Sequence, residues 1–136
     1  MTRQETPFAT HRELIIVEGT VTGPLGAMTA RLVLDTGAVY TTITPEVADS
    51  IGYSARDGIR RTRVRTAIGS EQGYVLAVAE IAVLGLVMQP FTVHVFDLGH
   101  DDIDGLVGLN FLSRLNYEIR SVERRIFVEP VALAPA

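Results

Sequence analysis

A single acidic residue, Asp35, follows an apolar strand pattern and precedes a small hydroxyl residue and a glycine. The segment 33–38 reads Val-Leu-Asp-Thr-Gly-Ala. A carboxylate that a strand delivers into a tight turn can serve as an acid or a base. The same triplet is also typical of an ordinary β-turn, in which the Asp accepts backbone hydrogen bonds and the Gly takes a positive φ. Taken alone, the triplet favours the plain turn.

The surroundings of Asp35 change this weighing. A β-branched stretch follows it, and then a helix start in which Thr44 can cap free amide groups and Pro45 fits the first helical position. Much later in the chain a second apolar-apolar-Gly turn, at 106–108, is again followed by a helical pattern near 111–115. The two halves of the chain therefore repeat the same pattern of a turn followed by a helix, which favours a functional site over an isolated turn.

This arrangement resembles the retropepsin-like aspartic proteases, in particular their bacterial members. The family's first motif is matched at 35–38, Asp-Thr-Gly-Ala, and its second at 104–112, Asp-Gly-Leu-Val-Gly-Leu-Asn-Phe-Leu. Between them, the segment 66–70, Thr-Ala-Ile-Gly-Ser, resembles the family's flap, a hairpin that folds over bound peptide. The resemblance spans roughly residues 14–128, and the three motifs occur in the family order.

The resemblance implies a role for each motif residue. Asp35 is the expected catalytic residue. The residues expected to support its loop are Thr36, Gly37 and Ala38; those expected to cover the substrate are Ile68, Gly69 and Ser70; and the second active-loop motif comprises Leu106, Val107 and Gly108. Two positions after the first motif depart from the family pattern, Val39 and Tyr40, and Ile68 is more apolar than the usual flap residue. These departures bear on contacts with the substrate.

The chemistry implied by the resemblance needs two carboxylates. Two close carboxylates cannot both ionise easily, so the pair holds one proton and supplies an acid and a base in one site. Because no second motif acid occurs in the chain, the expected partner of Asp35 is Asp35 of a second copy, related by twofold symmetry. We therefore expect a homodimer that hydrolyses a polypeptide substrate without a metal or an organic cofactor.

Composition sets the remaining bounds. The chain has 136 residues, 47% hydrophobic and 21% charged, which predicts one globular domain with its own core. The absence of cysteine excludes disulfides and thiolate chemistry. A net charge of −4 gives no general attraction to nucleic acid or to anionic membranes. Without a signal-peptide pattern or an apolar run of membrane-spanning length, a cytoplasmic location is expected.

Regularly spaced turn signals predict a mainly β fold, a closed barrel or sandwich of the acid-protease type with one or two short helices. We expect a flexible N-terminal arm at 1–12, the protease domain at 13–129 and a C-terminal tail at 130–136. Within the domain, long strands are predicted at 59–68 and 74–84, with a glycine-bounded loop tip at 69–73 between them.

Three polar features favour structural roles. The acidic loop 97–104 lacks calcium-site spacing and is interpreted as a solvated loop, and no metal site is expected. His94 alternates with apolar residues along a strand and is predicted to point outward or to be hydrogen-bonded. The alternating residues Arg61, Arg63 and Arg65 are most simply interpreted as the solvent-exposed face of a sheet. The less favoured alternative is that these arginines give the protein a preference for acidic peptides.

Two other functions stay open. The fold and the dimer can persist in a peptide-binding or scaffold module with little turnover, because a fold does not prove activity. A processing domain that cuts only its own chain or one partner is the third possibility, with the N-terminal arm as the segment it would cut.

Overall fold

The computed structural model describes residues 3–66, 69–99 and 102–130, and this part of the chain is mainly β. Its strands are β1 (Gln4–Pro7), β2 (Ala9–His11), β3 (Leu14–Gly23), β4 (Gly26–Leu34), β5 (Thr42–Ile43), β6 (Arg60–Thr66), β7 (Gly69–Val78), β8 (Glu80–Val83), β9 (Leu86–Met88), β10 (Phe91–Val95), β11 (Gly105–Val107), β12 (Leu115–Arg120) and β13 (Arg125–Pro130). The helices are α1 (Pro45–Ser50), a 3-10 turn (Ala55–Asp57) and α2 (Leu109–Leu112).

Most strands belong to one large sheet with the order β6-β7-β10-β5-β11-β4-β3-β8-β9, and β2 pairs with β3 beside this path. A smaller sheet has the order β1-β13-β12. In the part of the chain that the structure describes, the path ends at β6 and β9, so the large sheet does not close into a barrel. The predicted mainly β acid-protease architecture with two short helices is confirmed without that closure.

The hairpin of β3 and β4 delivers the first motif. Its two strands pair antiparallel from Ile16–Val33 to Gly23–Gly26, and alternate residues such as Val17 and Leu32 are fully buried. This alternation places one face of the hairpin on the main core, which also contains Phe111 of α2. Burial of this face fixes the register, and therefore fixes where β4 ends and the motif loop begins.

Helix α1 forms as its sequence predicts. Thr44 is the N-cap, and its Oγ1 accepts a hydrogen bond from the Val47 N–H at 3.3 Å. Pro45 occupies the first turn, where its missing N–H costs nothing. The helix ends before Gly52, whose φ of +99° suits glycine.

The N-terminal segment differs from the prediction of a loosely held arm. In the structure β1 pairs with β13 from Gln4–Val128 to Pro7–Arg125, and β2 pairs with β3 from Ala9–Ile16 to His11–Leu14. The polar composition of residues 1–12 did not reveal these strands, because the partner of β1 lies at the other end of the chain. The predicted tail from residue 131 onward lies outside the described residues.

The region predicted to carry a loop tip is also different. Strands β6 and β7 pair antiparallel as far as Thr66–Gly69, so residues 69–73 lie within β7. Pairing with β6 satisfies the backbone groups of this glycine-bounded segment, which overrides its turn-like composition. The single strand predicted at 74–84 is divided into β7 and β8, and α2 begins at Leu109, ahead of the predicted 111–115.

In the described part of the chain, none of the helices has the length and apolar character needed to cross a membrane.

Candidate active site

The loop that carries Asp35 is a turn tied to the neighbouring strand. The Asp35 N–H donates to the Val107 carbonyl at 3.0 Å, and the Ala38 N–H donates back to the Asp35 carbonyl at 3.2 Å. The Asp35 Oδ1 accepts a hydrogen bond from the Gly37 N–H at 2.9 Å. The carboxylate is half-buried, while Thr36 and Gly37 are exposed. Asp35 is thus held in position at the surface of the sheet.

Strand topology explains why the two motifs meet. Strand β11 pairs in parallel with β4, from Gly105–Leu32 to Val107–Leu34, and antiparallel with β5. The second motif is therefore inserted between the strand that enters the Asp35 loop and the strand that leaves it. Residues separated by some seventy positions in sequence become direct neighbours. Val107 of the second motif pairs with Leu34, directly before Asp35.

Close packing of backbones explains why residue 108, at the end of the segment 106–108, is a glycine. A Cβ on Gly108 would lie 2.6 Å from the Tyr40 carbonyl carbon and 2.9 Å from the Ala38 carbonyl oxygen. Immediately after it, the Leu109 N–H donates to the Ala38 carbonyl at 2.8 Å, and the Asn110 N–H donates to the Val39 carbonyl at 2.9 Å. These bonds fasten the N-terminus of α2 to the far side of the Asp35 loop.

Two polar residues that sequence reasoning did not single out complete the support. Thr41 is fully buried. Its Oγ1 donates a hydrogen bond to Asn110 Oδ1 at 2.8 Å and accepts one from the Gly108 N–H at 3.1 Å. The Thr41 N–H also donates to Asn110 Oδ1 at 2.8 Å, and Asn110 Nδ2 donates to the Thr92 carbonyl at 3.0 Å. Asn110 lay within the second motif, but its function depends on contacts across the topology that composition does not show.

The acidic loop is attached to the sheet at its C-terminal end. Asp104 Oδ2 accepts from the Arg31 N–H at 2.8 Å, and the Asp104 carbonyl accepts from the Thr44 N–H at 3.0 Å. The adjacent Ile103 is buried in a small apolar cluster with Ile16 and Val33. The interpretation as a purely solvated loop is therefore wrong for residues 103–104, which connect β4 to the cap of α1. Residues 100 and 101 lie outside the described range.

A pocket of about 310 Å³ adjoins the Asp35 loop. It is lined by residues of that loop, of β6 and of β10, among them Val39, Tyr40, Thr62, Arg63, His94 and Leu106. We call this cleft the Tyr40–His94 pocket, because the two rings stack at one wall with centroids 4.2 Å apart and planes 13° from parallel.

His94 itself differs from the sequence-based prediction. Its side chain is buried, at 7% exposure, instead of pointing outward. Its Nε2 has no hydrogen-bond partner among the residues that the structure describes. Burial lowers the pKa of His94, and the positive charge of Arg60 acts in the same direction. The imidazole is therefore neutral at neutral pH and carries a buried nitrogen available for a partner.

The predicted flap residues are only partly described. Ile68 lies outside the described residues, and the backbone of Gly69 and Ser70 continues β7, where they pair with Thr66 and Arg65. The pair β6–β7 joins the large sheet through β10. Through Thr62 and Arg63, this pair also forms a wall of the Tyr40–His94 pocket.

A family model described as an aspartyl protease matches residues 17–111, a range that includes the Asp35 loop, β6, β7 and the second motif. The chain belongs to the aspartyl protease family. No curated protein sequence matches it. The assignment agrees with the resemblance that the three motifs indicated.

Solved structures share the fold of this chain. A retropepsin-like aspartic protease from Rickettsia conorii is similar with a TM-score of 0.66 and 21% identity, over 93% of this chain and 91% of that one. The retroviral protease-like domain of Ddi1 from Leishmania major gives a TM-score of 0.56 and 16% identity, over 88% and 94% of the two chains. EIAV protease in complex with the inhibitor HBY-793 is similar with a TM-score of 0.58 and 17% identity, over 77% of this chain and 92% of that one.

The site contains one carboxylate in the loop of the first motif, that of Asp35. Within the described residues, the only side-chain hydrogen bond of Asp35 is the one from Gly37, which leaves acceptor capacity on the carboxylate. No cluster of three metal-ligating side chains occurs in the described ranges. A half-exposed carboxylate on a rigid loop can take or give a proton, but it needs a second group for the opposite role.

Proposed function

We propose that this chain is an aspartic endopeptidase that hydrolyses peptide bonds as a homodimer, with Asp35 of each copy forming the catalytic dyad. The observation that carries the proposal is the Asp35 loop itself. Its carboxylate is oriented by the Gly37 N–H and its backbone is fixed to Val107 of the inserted strand. Family membership and the retropepsin-like fold support the same reaction class.

In the proposed reaction, the two Asp35 carboxylates share one proton. The ionised carboxylate removes a proton from a bound water, and this water attacks the scissile carbonyl carbon. The protonated carboxyl group donates a hydrogen bond to the carbonyl oxygen, where negative charge develops. Each carboxyl group can exchange its role as the tetrahedral intermediate collapses and the leaving amine is protonated.

Exposed residues around the loop support pairing of two copies. The Thr36 side chain is exposed beside the carboxylate, in a place where its hydroxyl can bond a second loop. Leu109, whose N–H is bonded to the same loop, is also exposed, at 40%. Burial of this apolar surface against a second copy, near a twofold axis through the two loops, would stabilise the dimer.

The dyad is best tested by mixing subunits. Asp35→Asn keeps the size of the side chain but cannot shuttle a proton, so we expect the pure variant to lose peptide cleavage while it keeps its melting temperature. When a fixed amount of wild-type protein is titrated with the variant, mixed dimers form and activity should fall well below that of wild type alone. Asp49→Asn, on an exposed position of α1, is the matched control and should leave activity in place.

Two results would contradict the proposal. Activity that stays constant through the titration would show that each copy works without a partner carboxylate. Full cleavage by the pure Asp35→Asn protein would place the chemistry elsewhere. Sedimentation of the wild-type protein at the assay concentration establishes which species is active.

The second candidate is a peptide-binding module with the same fold and little turnover. The Tyr40–His94 pocket favours it, because a pocket beside the loop can hold a peptide side chain whether or not the bond is cut. Peptide binding by the wild-type protein without any cleavage over a range of pH would favour this alternative.

A further inference from the structure

The Tyr40–His94 pocket adjoins the loop that carries Asp35, three residues along the chain from the carboxylate. One wall is the continuation of the Asp35 loop, at Ala38 and Val39, and the opposite wall is β6. These walls belong to two separately anchored elements, since the loop is bonded to α2 and β6 to β7. The pocket is therefore a cleft between two elements that different neighbours hold in place.

The charge in this cleft is positive. Among the described residues that line it, Arg63 carries the only formal charge, and its side chain is exposed. Arg60, on the same strand, is close enough to act electrostatically on His94. The protein as a whole has a net charge of −4, so the positive charge at this pocket is opposite in sign to the charge of the whole protein.

The cleft also offers unused hydrogen-bonding groups. The buried His94 Nε2 has no partner within the described residues, and leaving such a group unpaired costs about 1–3 kcal/mol. Tyr40, 45% exposed, stacks on the imidazole and bears a hydroxyl. A carboxylate in the cleft can form a charge-assisted hydrogen bond with Arg63 and accept one from the Tyr40 hydroxyl, and an apolar side chain can form neither.

We propose that the Tyr40–His94 pocket is a specificity subsite that accepts an acidic side chain, glutamate or aspartate, of the bound polypeptide. Arg63 pairs with the carboxylate at the rim, Val39 and Leu106 contact its aliphatic stem, and the Tyr40–His94 stack forms the wall. This inference rests on the proposed peptide-binding function of the same site. It concerns the choice of substrate and is independent of the dyad chemistry.

The test uses octapeptides in matched pairs, in which Glu or Gln is placed at each position in turn. Their binding is measured by fluorescence anisotropy on the intact Asp35→Asn protein, which does not cut them, and their cleavage is measured on wild type. At one position we expect the Glu peptide to bind about tenfold more tightly than its Gln partner, the size of a charge-assisted hydrogen bond. The preference should shrink as salt is raised.

Arg63→Gln in the same background should abolish this preference, while Arg61→Gln should keep it. Arg61 lies two residues away on the same strand and is exposed, but it does not line the pocket. Equal binding of the Glu and Gln peptides at every position would overturn the subsite. So would an equal loss of preference in the Arg61 and Arg63 variants, because it would reduce the effect to the general charge of β6.

The outcomes separate this inference from the proposed function. Glu-selective binding without any cleavage by wild type would refute the endopeptidase and leave the subsite standing. Cleavage by wild type with no preference between Glu and Gln would leave the endopeptidase standing and refute the subsite.

Discussion

Replacement of Gly108 by alanine should destabilise the protein through a backbone collision at the active loop. The φ of Gly108 is −102°, a value that alanine adopts easily, so strain in φ is not the cause. The added methyl would lie 2.6 Å from the Tyr40 carbonyl carbon, 2.7 Å from its oxygen and 2.9 Å from the Ala38 oxygen. All three are backbone atoms, which cannot rotate away as a side chain can.

The size of the effect follows from these contacts. To restore ordinary contact the Asp35 loop or β11 must move by about 0.8 Å, an over-packing that typically costs about 1–3 kcal/mol. The same movement weakens the bonds from Leu109 and Asn110 to the loop, each worth about 0.5–1.5 kcal/mol. Alanine also lowers the conformational entropy of the unfolded chain, which stabilises the folded protein by about 0.4–1 kcal/mol and partly offsets these losses. We expect a net loss of about 2–4 kcal/mol in the free energy of unfolding, a large share of a typical total.

Urea unfolding of Gly108→Ala, compared with Gly37→Ala, measures this directly. Among the described residues, a methyl on Gly37 would meet only Asp35 Oδ1, at 3.3 Å, and the φ of Gly37 lies outside the positive range. Gly37→Ala should therefore change the unfolding free energy by less than about 1 kcal/mol while it lowers peptide cleavage by displacing the carboxylate. A Gly108→Ala protein with the wild-type midpoint, or one that loses no more stability than Gly37→Ala, would refute the packing argument.

Two further perturbations probe the polar support of the site. Thr41→Val removes a buried hydroxyl that is hydrogen-bonded to Gly108 and Asn110, so it should lower the unfolding free energy by about 1–3 kcal/mol. Thr92→Val, at an exposed side chain, is the control and should change the unfolding free energy little. Equal losses in the two variants would contradict the assigned hydrogen bonds. Because the pKa of His94 is lowered in the folded protein, the unfolded chain binds a proton more readily than the folded chain does. The contribution of His94 to stability is therefore fully present above its ordinary pKa of 6.5 and is lost as the pH falls below that value. His94→Phe should remove this part of the pH dependence in urea unfolding near pH 7.5 and near pH 5.5, and an unchanged pH dependence would contradict burial of a neutral imidazole.

Sequence patterns predicted the parts of the fold that local chemistry determines. The β3–β4 hairpin, the cap at Thr44 and the end of α1 near Gly52 depend on residues adjacent in the chain, and all three occur as expected. The N-terminal strands and the extent of β7 were missed, because their backbone groups are satisfied by partners distant in sequence. Composition reports the preference of a segment, and a distant partner strand can override it.

The candidate site divides in the same way. The motif residues at 35–38 and 106–108 could be named from the sequence, because their types and order carry the family resemblance, and the fold does bring these segments together. Thr41 as a buried bridge and His94 as a buried neutral imidazole could not be named, since both properties arise from burial and from neighbours that only the sheet order supplies. An alternating pattern along β10 suggested an exposed face at His94, but Tyr40 covers that face.

The turn interpretation and the active-site interpretation of the Asp-Thr-Gly triplet describe the same hydrogen bonds. The bond from the Gly37 N–H to Asp35 Oδ1 is what a side-chain turn makes, and it also fixes the direction of the carboxylate. What distinguishes this loop from an ordinary turn is the strand inserted beside it, which binds the Asp35 N–H through Val107 and holds the far end of the loop through α2. An isolated turn lets its side chain move with the loop. Here two distant segments fix both ends, and a carboxylate held in this way has the fixed direction that the proposed dyad requires.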